Sequence, residues 1–147
     1  MREIKFRAWD KDYKYMNHKV MVGNVWDEEN YHAHMIWVDR KDVDYECESG
    51  WMNFDENSNI EIMQYTGLKD KNGTEIYEGD ILSTDLDRPY LIVEFRNGAF
   101  MFQCHDNGKD YYDFMATTGE NYDFTKYHEV IGNIYENRKL LGRDGDE

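Results

Sequence analysis

Two short segments of the sequence contain side chains that could take part in chemistry. His32 and His34 are separated by one residue, so a strand there would place both imidazoles on one face, where they could bind a metal ion. A third ligand with suitable spacing is not identifiable in the sequence, and a lone His-x-His pair is common without metal. We therefore predict no metal site and no bound cofactor.

The second segment, Cys104-His105-Asp106, contains the side-chain types of a nucleophilic triad. Adjacent strand residues point to opposite faces, so these three cannot readily converge on one reacting atom. With 31 Asp and Glu residues, apparent carboxylate pairs arise by chance, and no glycosidase-like or nuclease-like arrangement stands out. The sequence has neither a phosphate-binding glycine-rich loop nor a Cys-x-x-Cys motif. We predict no catalytic residue and a non-enzymatic protein; the alternative is an enzyme with an unfamiliar site.

The overall composition is that of one ordinary globular domain of 147 residues. Hydrophobic residues make up 40% and aromatic residues 16%, which favours strands. Cys47 and Cys104 lie far apart, and we expect both to be reduced. No stretch approaches the roughly 20 apolar residues of a membrane span. Residues 1–20 lack the unbroken apolar core of a signal peptide, so we expect a cytoplasmic protein without membrane contact.

Charge is strongly negative and uneven along the chain. The net charge of −14 argues against direct nucleic-acid binding, which depends on Lys and Arg neutralising phosphates. Residues 1–20 nevertheless contain six basic and three acidic side chains, a net +3, which could form a local basic strip or simply a solvated strand face. Residues 27–56 contain ten acidic side chains against two basic ones, a net −8.

Segments with the two-residue period or the short apolar runs of strands follow one another along the chain. In residues 3–9, Ile4, Phe6 and Ala8 alternate with polar or aromatic neighbours, which predicts one buried face. Further strands are predicted at 19–26, 35–38, 60–65, 74–77, 81–82, 90–96, 99–103, 111–115 and 130–135. Helical periodicity is weak, with single turns expected within 121–128 and 136–141.

Three Asn-Gly pairs mark tight turns between predicted strands. A two-residue type I′ turn needs a positive φ at both positions, and Asn followed by Gly meets this need at the lowest cost. The pairs are Asn72-Gly73, Asn97-Gly98 and Asn107-Gly108. The middle pair separates two strongly apolar segments, so it gives the firmest hairpin prediction in the chain.

Many short strands joined by tight turns predict an all-β fold, either a small barrel or a sandwich. We predict a single domain over residues 1–137. Within it, the acidic and irregular residues 39–59 would form a long loop or an insertion. Residues 138–147 would form a charged, disordered tail.

Three sequence blocks occur together in a familiar order. They are EIKFRAWD at 3–10, MQYTGLKDKNGTEIYEGDI at 63–81 and EVIGNIYEN at 129–137. In these blocks the chain resembles the YopX-like family of bacteriophage and prophage proteins. The last block usually continues into proline, whereas Arg138 follows here. The resemblance implies a mostly β fold related to small SH3-like barrels and a phage or prophage origin, but it supplies no activity and no catalytic residue.

The residues of these blocks have a structural and a functional interpretation. Trp9, Asp10, Tyr65, Tyr77 and Asp80 could form an interaction surface, because large aromatic residues are favoured at interfaces. Alternatively, the aromatic residues belong to the core, and Asp80 accepts hydrogen bonds from backbone N–H groups in a turn.

Three functions are consistent with the sequence. The first is a binding module that docks onto a host or phage protein or forms a homo-oligomer, using edge strands and aromatic side chains. The second is an acidic decoy that occupies the nucleic-acid site of a host enzyme, with the carboxylates of 27–56 standing in for phosphates. The third is an enzyme with a pocket of converging polar groups.

Overall fold

A computed structural model describes the protein over residues 3–23, 32–37, 48–53, 58–84, 90–106, 109–115 and 127–141. The chain divides into two compact units. The N-terminal unit is Glu3–Gln64, and the C-terminal unit consists mainly of Tyr65–Glu147. The boundary falls within one strand, so that strand contributes residues to both units.

The N-terminal unit is an antiparallel sheet of successive hairpins. Its strands are β1 (Phe6–Asp10), β2 (Tyr15–Gly23), β3 (His32–Trp37), β4 (Glu48–Asn53) and the first half of β5 (Ile60–Lys69). They lie in the order β4-β3-β2-β1-β5. β1 is central, since Ala8 is paired with Asn17 of β2 on one side and with Ile62 of β5 on the other.

The prediction of a single buried face for β1 is wrong. Arg7, Ala8, Trp9 and Asp10 are all buried, so both faces of the strand are covered, whereas Ile4 is 66% exposed. The strand begins at Phe6, and Ile4 precedes it. The alternation of polar and apolar residues was misleading because Arg7 and Asp10 are polar residues at buried positions.

The C-terminal unit contains the second half of β5 paired with β6 (Glu75–Tyr77), and a five-stranded antiparallel sheet. The sheet is formed by β7 (Asp80–Thr84), β8 (Leu91–Arg96), β9 (Ala99–Asp106), β10 (Lys109–Phe114) and β11 (His128–Asn133) in the order β10-β9-β8-β7-β11. A short 3-10 helix, Arg138–Leu141, follows β11.

The hydrophobic core of the C-terminal unit lies on one face of this sheet. Leu91 is paired with Cys104 and Leu82 is paired with Leu91, so these three side chains share a face. The buried cluster consists of Ile76, Leu82, Leu91, Val93, Cys104 and Met115, with Leu68, Phe100, Phe102 and Val130 packed against it. Cys104 is a free, buried thiol, as expected for a cysteine that acts as a small apolar residue.

The Asn-Gly turns differ from one another. At the β8–β9 hairpin Asn97 has φ 53° and Gly98 has φ 79°, and Arg96 is paired with Ala99, which confirms a two-residue turn of the predicted type. At the β5–β6 hairpin only Gly73 of the Asn-Gly pair has a positive φ, and the turn extends from Asp70 to Thr74. Asn107-Gly108 lies outside the described residues, although its flanking residues Asp106 and Lys109 are paired.

The fold is mostly β, as predicted, whereas the SH3-like barrel stays a prediction. Within the range 39–59, residues Glu48–Asn53 form β4, and within the predicted tail Arg138–Leu141 form the 3-10 helix. The single helical turn expected at 121–128 lies almost entirely outside the described residues. Among the described residues, no helix has the length and apolar character needed to cross a membrane.

The end of β11 has a close contact that only glycine permits. A Cβ atom added to Gly132 would lie 2.5 Å from Oδ1 and 2.8 Å from Cβ of Asn137. The Asn137 side chain cannot swing away freely, because its Oδ1 accepts a hydrogen bond from the backbone N–H of Asn133 at 3.1 Å. Gly132 therefore allows the chain to fold back onto the end of its own strand.

We expect Gly132→Ala to lower the free energy of unfolding by about 1–3 kcal/mol, the usual cost of overpacking a filled site. Urea denaturation measures this change in the free energy of unfolding. In the double variant Gly132→Ala/Asn137→Gly the added methyl meets neither an amide nor a Cβ at position 137, so the loss should be smaller than the sum of the two single losses. A strictly additive double variant would contradict the proposed clash.

Candidate functional site

All five residues predicted as an interaction surface are buried. The exposed fractions are 8% for Trp9, 6% for Asp10, 4% for Tyr65, 5% for Tyr77 and 1% for Asp80. A side chain that is covered to this extent offers almost no area to a partner in this conformation. We therefore correct that interpretation and assign these residues structural roles.

Asp10 closes the hairpin between β1 and β2. Its Oδ1 accepts hydrogen bonds from the backbone N–H groups of Asp12 at 2.9 Å and Tyr13 at 3.0 Å. This is the usual behaviour of an aspartate that begins a turn, because its carboxylate replaces a backbone acceptor. The chain then passes through Lys14, which has a positive φ of 50°, before β2 begins.

Asp80, Tyr77 and Tyr65 fix the turn between β6 and β7. Oδ2 of Asp80 accepts a hydrogen bond from the Tyr77 N–H at 2.8 Å, which confirms the predicted turn role. Between them, Gly79 has φ 80° and donates its N–H to the carbonyl of Val93 at 2.8 Å. The rings of Tyr65 and Tyr77 lie 5.4 Å apart between centroids, a distance typical of packed aromatic pairs.

Asp70 was missed by the sequence reasoning, and its carboxylate accepts three backbone hydrogen bonds. Its Oδ1 accepts hydrogen bonds from the N–H groups of Asn72 at 2.8 Å and Thr74 at 2.9 Å, and its Oδ2 accepts one from Val130 at 2.9 Å. Lys71 also donates its N–H to the carbonyl of His128 at 3.0 Å. The β5–β6 turn is thereby joined to the outer edge of β11. An Asp two residues before Asn-Gly was the available sequence signal.

These hydrogen bonds determine the ionisation of Asp70. Burial alone would raise the pKa of this carboxyl. The backbone N–H groups of Val130, Thr74 and Asn72 stabilise the charged form more strongly, so the pKa is held below its usual value of 3.8. The carboxylate therefore stabilises the folded protein at neutral pH.

The third sequence block is explained in the same way. Oδ1 of Asn133 accepts hydrogen bonds from the N–H groups of Tyr135 at 3.0 Å and Glu136 at 2.9 Å, and its Nδ2 donates to the Glu136 carboxylate at 2.7 Å. Asn133, like Asp10, Asp70 and Asp80, is a buried polar residue that satisfies turn N–H groups. The three blocks thus encode turns, and the functional surface must be sought elsewhere.

The residues weighed for chemistry are only partly described. His32 and His34 lie on β3 and Cys104, His105 and Asp106 lie on β9, but of these five side chains only that of Cys104 is described. Within the described ranges, no group of three or more His, Cys, Asp or Glu side chains could hold a metal ion. The catalytic and metal predictions stay predictions.

The basic residues near the N-terminus do not form an uninterrupted strip. Arg7 is 6% exposed, while Lys5 is paired with Glu3 at 2.6 Å and Lys11 with Glu61 at 2.7 Å. Ion pairs between exposed side chains reduce the local positive charge that phosphates could contact. Lys5 and Lys11 are solvated, whereas Arg7 is buried within β1.

The tip of the β8–β9 hairpin combines exposed aromatic and cationic side chains. Phe95 is 49% exposed and meets Phe100 edge to face, with ring centroids 5.1 Å apart. Cζ of Arg96 lies 4.0 Å from the centroid of the Tyr112 ring on β10. Because neighbouring strand residues point to opposite faces, Phe95 and Phe100 lie on the core face of the sheet, and Arg96 and Tyr112 lie on the other face. We call these four residues, which surround the turn from both faces, the hairpin-tip surface. The sequence signal for it was an aromatic residue close to each side of Asn97-Gly98.

Two further interactions hold this surface in place. Phe100 packs against the buried core cluster, so the core fixes the position of the ring that Phe95 contacts. Arg96 also lies near Glu94, with 3.9 Å between Nη1 and Oε1, although both side chains are more than 40% exposed and the pair adds little stability. The surface is a preformed feature on a short, rigid turn.

The described residues define a mostly β protein in which buried Asp and Asn side chains accept hydrogen bonds from the N–H groups of turns. A scan against family models matches the YopX protein family over residues 5–142, so the chain belongs to the YopX family. Among solved structures, it is similar to the crystal structure of protein EF1440 from Enterococcus faecalis, with 29% sequence identity and a TM-score of 0.52. That alignment covers 96% of this chain and 99% of the other. No curated protein matches significantly.

We expect Asp70→Asn to lower the free energy of unfolding by about 1–3 kcal/mol at neutral pH, because the amide has one acceptor oxygen where the carboxylate has two. Since the folded pKa is depressed, the wild-type advantage is complete above the usual value of 3.8 and is lost as pH falls through the folded pKa. Urea denaturation at neutral and acidic pH measures it. The exposed Asp110→Asn is the control, and a wild-type advantage that does not shrink in acid would refute the assignment.

Proposed function

We propose that this YopX-family protein is a non-enzymatic binding module that recognises a protein partner through the hairpin-tip surface. The observation that carries the proposal is an aromatic side chain, Phe95, left 49% exposed at the tip of a hairpin and in edge-to-face contact with Phe100. Aromatic residues and arginine are the types enriched at the centres of interfaces.

The energetics of this surface favour binding. An exposed Phe ring has an unfavourable contact with water that a partner can remove, and its χ angles are already limited by the Phe100 ring. Little side-chain entropy remains to be lost when the ring is buried by a partner. Preorganisation of this kind raises affinity without further contacts.

Charge narrows the chemistry of the partner. Arg96 is held on the Tyr112 ring, on the face of the hairpin opposite Phe95, so it does not contribute to the pocket that would receive the Phe95 ring. The chain as a whole has a net charge of −14, which steers it towards surfaces that are neutral or basic. We infer a partner protein with an apolar pocket for the Phe95 ring, surrounded by a neutral or basic surface.

The setting we propose is the cytoplasm of a bacterial host, with the protein encoded by a phage or prophage. The family resemblance supports this origin, and the buried free thiol of Cys104 is compatible with a reducing compartment. The partner is then a host or phage protein, and a second copy of the chain is one of the outcomes that the experiment below distinguishes.

The experiment uses the tagged full-length chain expressed at low level in a bacterial host, with light crosslinking and mass spectrometry of the co-purified proteins. We expect one enriched partner crosslinked near the β8–β9 hairpin. Phe95→Ser should weaken its binding at least about tenfold, because truncating a central aromatic residue at an interface costs on the order of 2 kcal/mol.

The matched control is Tyr13→Ser, which removes a 65% exposed aromatic side chain from the N-terminal unit. Retained binding in this control, together with unchanged thermal unfolding of both variants, assigns the loss to the hairpin-tip surface. Loss of partner binding in Tyr13→Ser, with binding retained in Phe95→Ser, would contradict the assignment of binding to the hairpin-tip surface. Self-crosslinks that vanish in Phe95→Ser would identify a second copy as the occupant.

The same experiment distinguishes the binding module from the acidic decoy. That function predicts a basic nucleic-acid-binding partner, crosslinks within residues 27–56 and binding that weakens steeply with salt. It also predicts no effect of Phe95→Ser. Such a result would replace the binding module with the decoy.

A further inference from the structure

Two Asn-Gly pairs lie in described turns, and such a pair has a chemistry of its own. The backbone nitrogen of the glycine can attack the side-chain carbonyl carbon of the asparagine. A C–N bond forms, the glycine nitrogen loses its proton, and the side-chain nitrogen leaves as ammonia. Water then opens the cyclic imide at either carbonyl, which gives aspartate or isoaspartate. Glycine favours the attack because it has no Cβ to hinder the approach.

The intrinsic reactivity of the two pairs is closely matched. Asn72 follows Lys71 and Asn97 follows Arg96, so each asparagine lies between a basic residue and a glycine. Any large difference between their rates in the folded protein must therefore come from the fold.

At Asn72-Gly73, hydrogen bonds restrain both the attacking glycine nitrogen and the asparagine side-chain amide. The attacking nitrogen of Gly73 donates its hydrogen to the carbonyl of Asp70 at 3.0 Å. The Nδ2 group of Asn72 donates to Oε1 of Glu129 at 3.2 Å, and the Asn72 N–H donates to the Asp70 carboxylate at 2.8 Å. Attack requires these bonds to break first.

Asn97-Gly98 is exposed at the hairpin tip. A Cβ added to Gly98, like one added to Gly73, would meet nothing within 4 Å, so access of water to the glycine nitrogen does not distinguish the two sites. Within the described part of the chain, no hydrogen bond restrains the Asn97 amide.

We propose that Asn97 is a site of spontaneous deamidation in the folded protein, with water as the only co-reactant, and that the fold protects Asn72. The aspartate product places a new carboxylate beside Arg96, where it competes with the Tyr112 ring for the guanidinium. The isoaspartate product adds one backbone atom to a turn that accommodates two residues. Both products alter the hairpin-tip surface, so the fraction of protein with an altered surface increases with time after synthesis.

The test is incubation of the purified full-length chain at mildly alkaline pH, native and in concentrated urea, followed by peptide mapping with mass spectrometry. In the native protein we expect the peptide with Asn97 to deamidate at least about tenfold faster than the peptide with Asn72, because several hydrogen bonds must open at Asn72. In urea the two rates should converge. Equal native rates, or faster loss at Asn72, would overturn the proposal.

Two variants sharpen the result. Asn97→Gln retains an amide but must close a larger ring, so this position should stay unmodified over the same period. Asp70→Asn weakens the restraint on the β5–β6 turn, so deamidation at Asn72 should accelerate while the rate at Asn97 stays unchanged. Acceleration at both sites would show that general unfolding governs the rates and would refute local protection.

Discussion

The carboxylate of Asp70 joins two segments of the C-terminal unit that lie far apart in the sequence. It is 4% exposed and carries three backbone hydrogen bonds, two within its own turn and one to Val130 of β11. A buried anion without such partners would be strongly destabilising, whereas this one supplies the acceptors that the turn and the strand edge lack. One side chain thereby determines both the shape of the β5–β6 hairpin and the position of a strand that follows it by 60 residues.

The same principle explains why the residues that carry the family resemblance are structural. Asp10, Asp80 and Asn133 each accept hydrogen bonds from N–H groups of the turn that they begin or end. A small β protein has many turns, and each turn leaves backbone donors that strand pairing cannot satisfy. Residues of these types are therefore needed for folding, and their presence identifies the family without identifying a function. Within the described part of the chain, the exposed aromatic residues Tyr13, Tyr15, Phe95 and Tyr127 lie outside the three blocks.

Local chemistry was sufficient to predict the mostly β fold and the Asn97-Gly98 turn, because both depend on residues adjacent in sequence. It was not sufficient for Asn72-Gly73, where Asp70 and β11 impose a longer turn on a pair that looks identical in sequence. Burial of Arg7 and Asp10 was also missed, since a central strand covered on both faces hides polar residues that a two-residue pattern assigns to solvent. The hairpin-tip surface required knowledge of register, which brings Phe95 opposite Phe100.

The capping of β11 has a consequence for the behaviour of the protein in concentrated solution. β11 is the last strand of its sheet, and such a strand presents N–H and C=O groups on which a further chain could add. Here the Val130 N–H is donated to Asp70 and the His128 carbonyl accepts from Lys71, so the edge is closed by the protein's own turn. The closure depends on a negative charge. Acidification that protonates Asp70 therefore weakens the hydrogen bond from the Val130 N–H, which makes this part of the strand edge more accessible to a further strand.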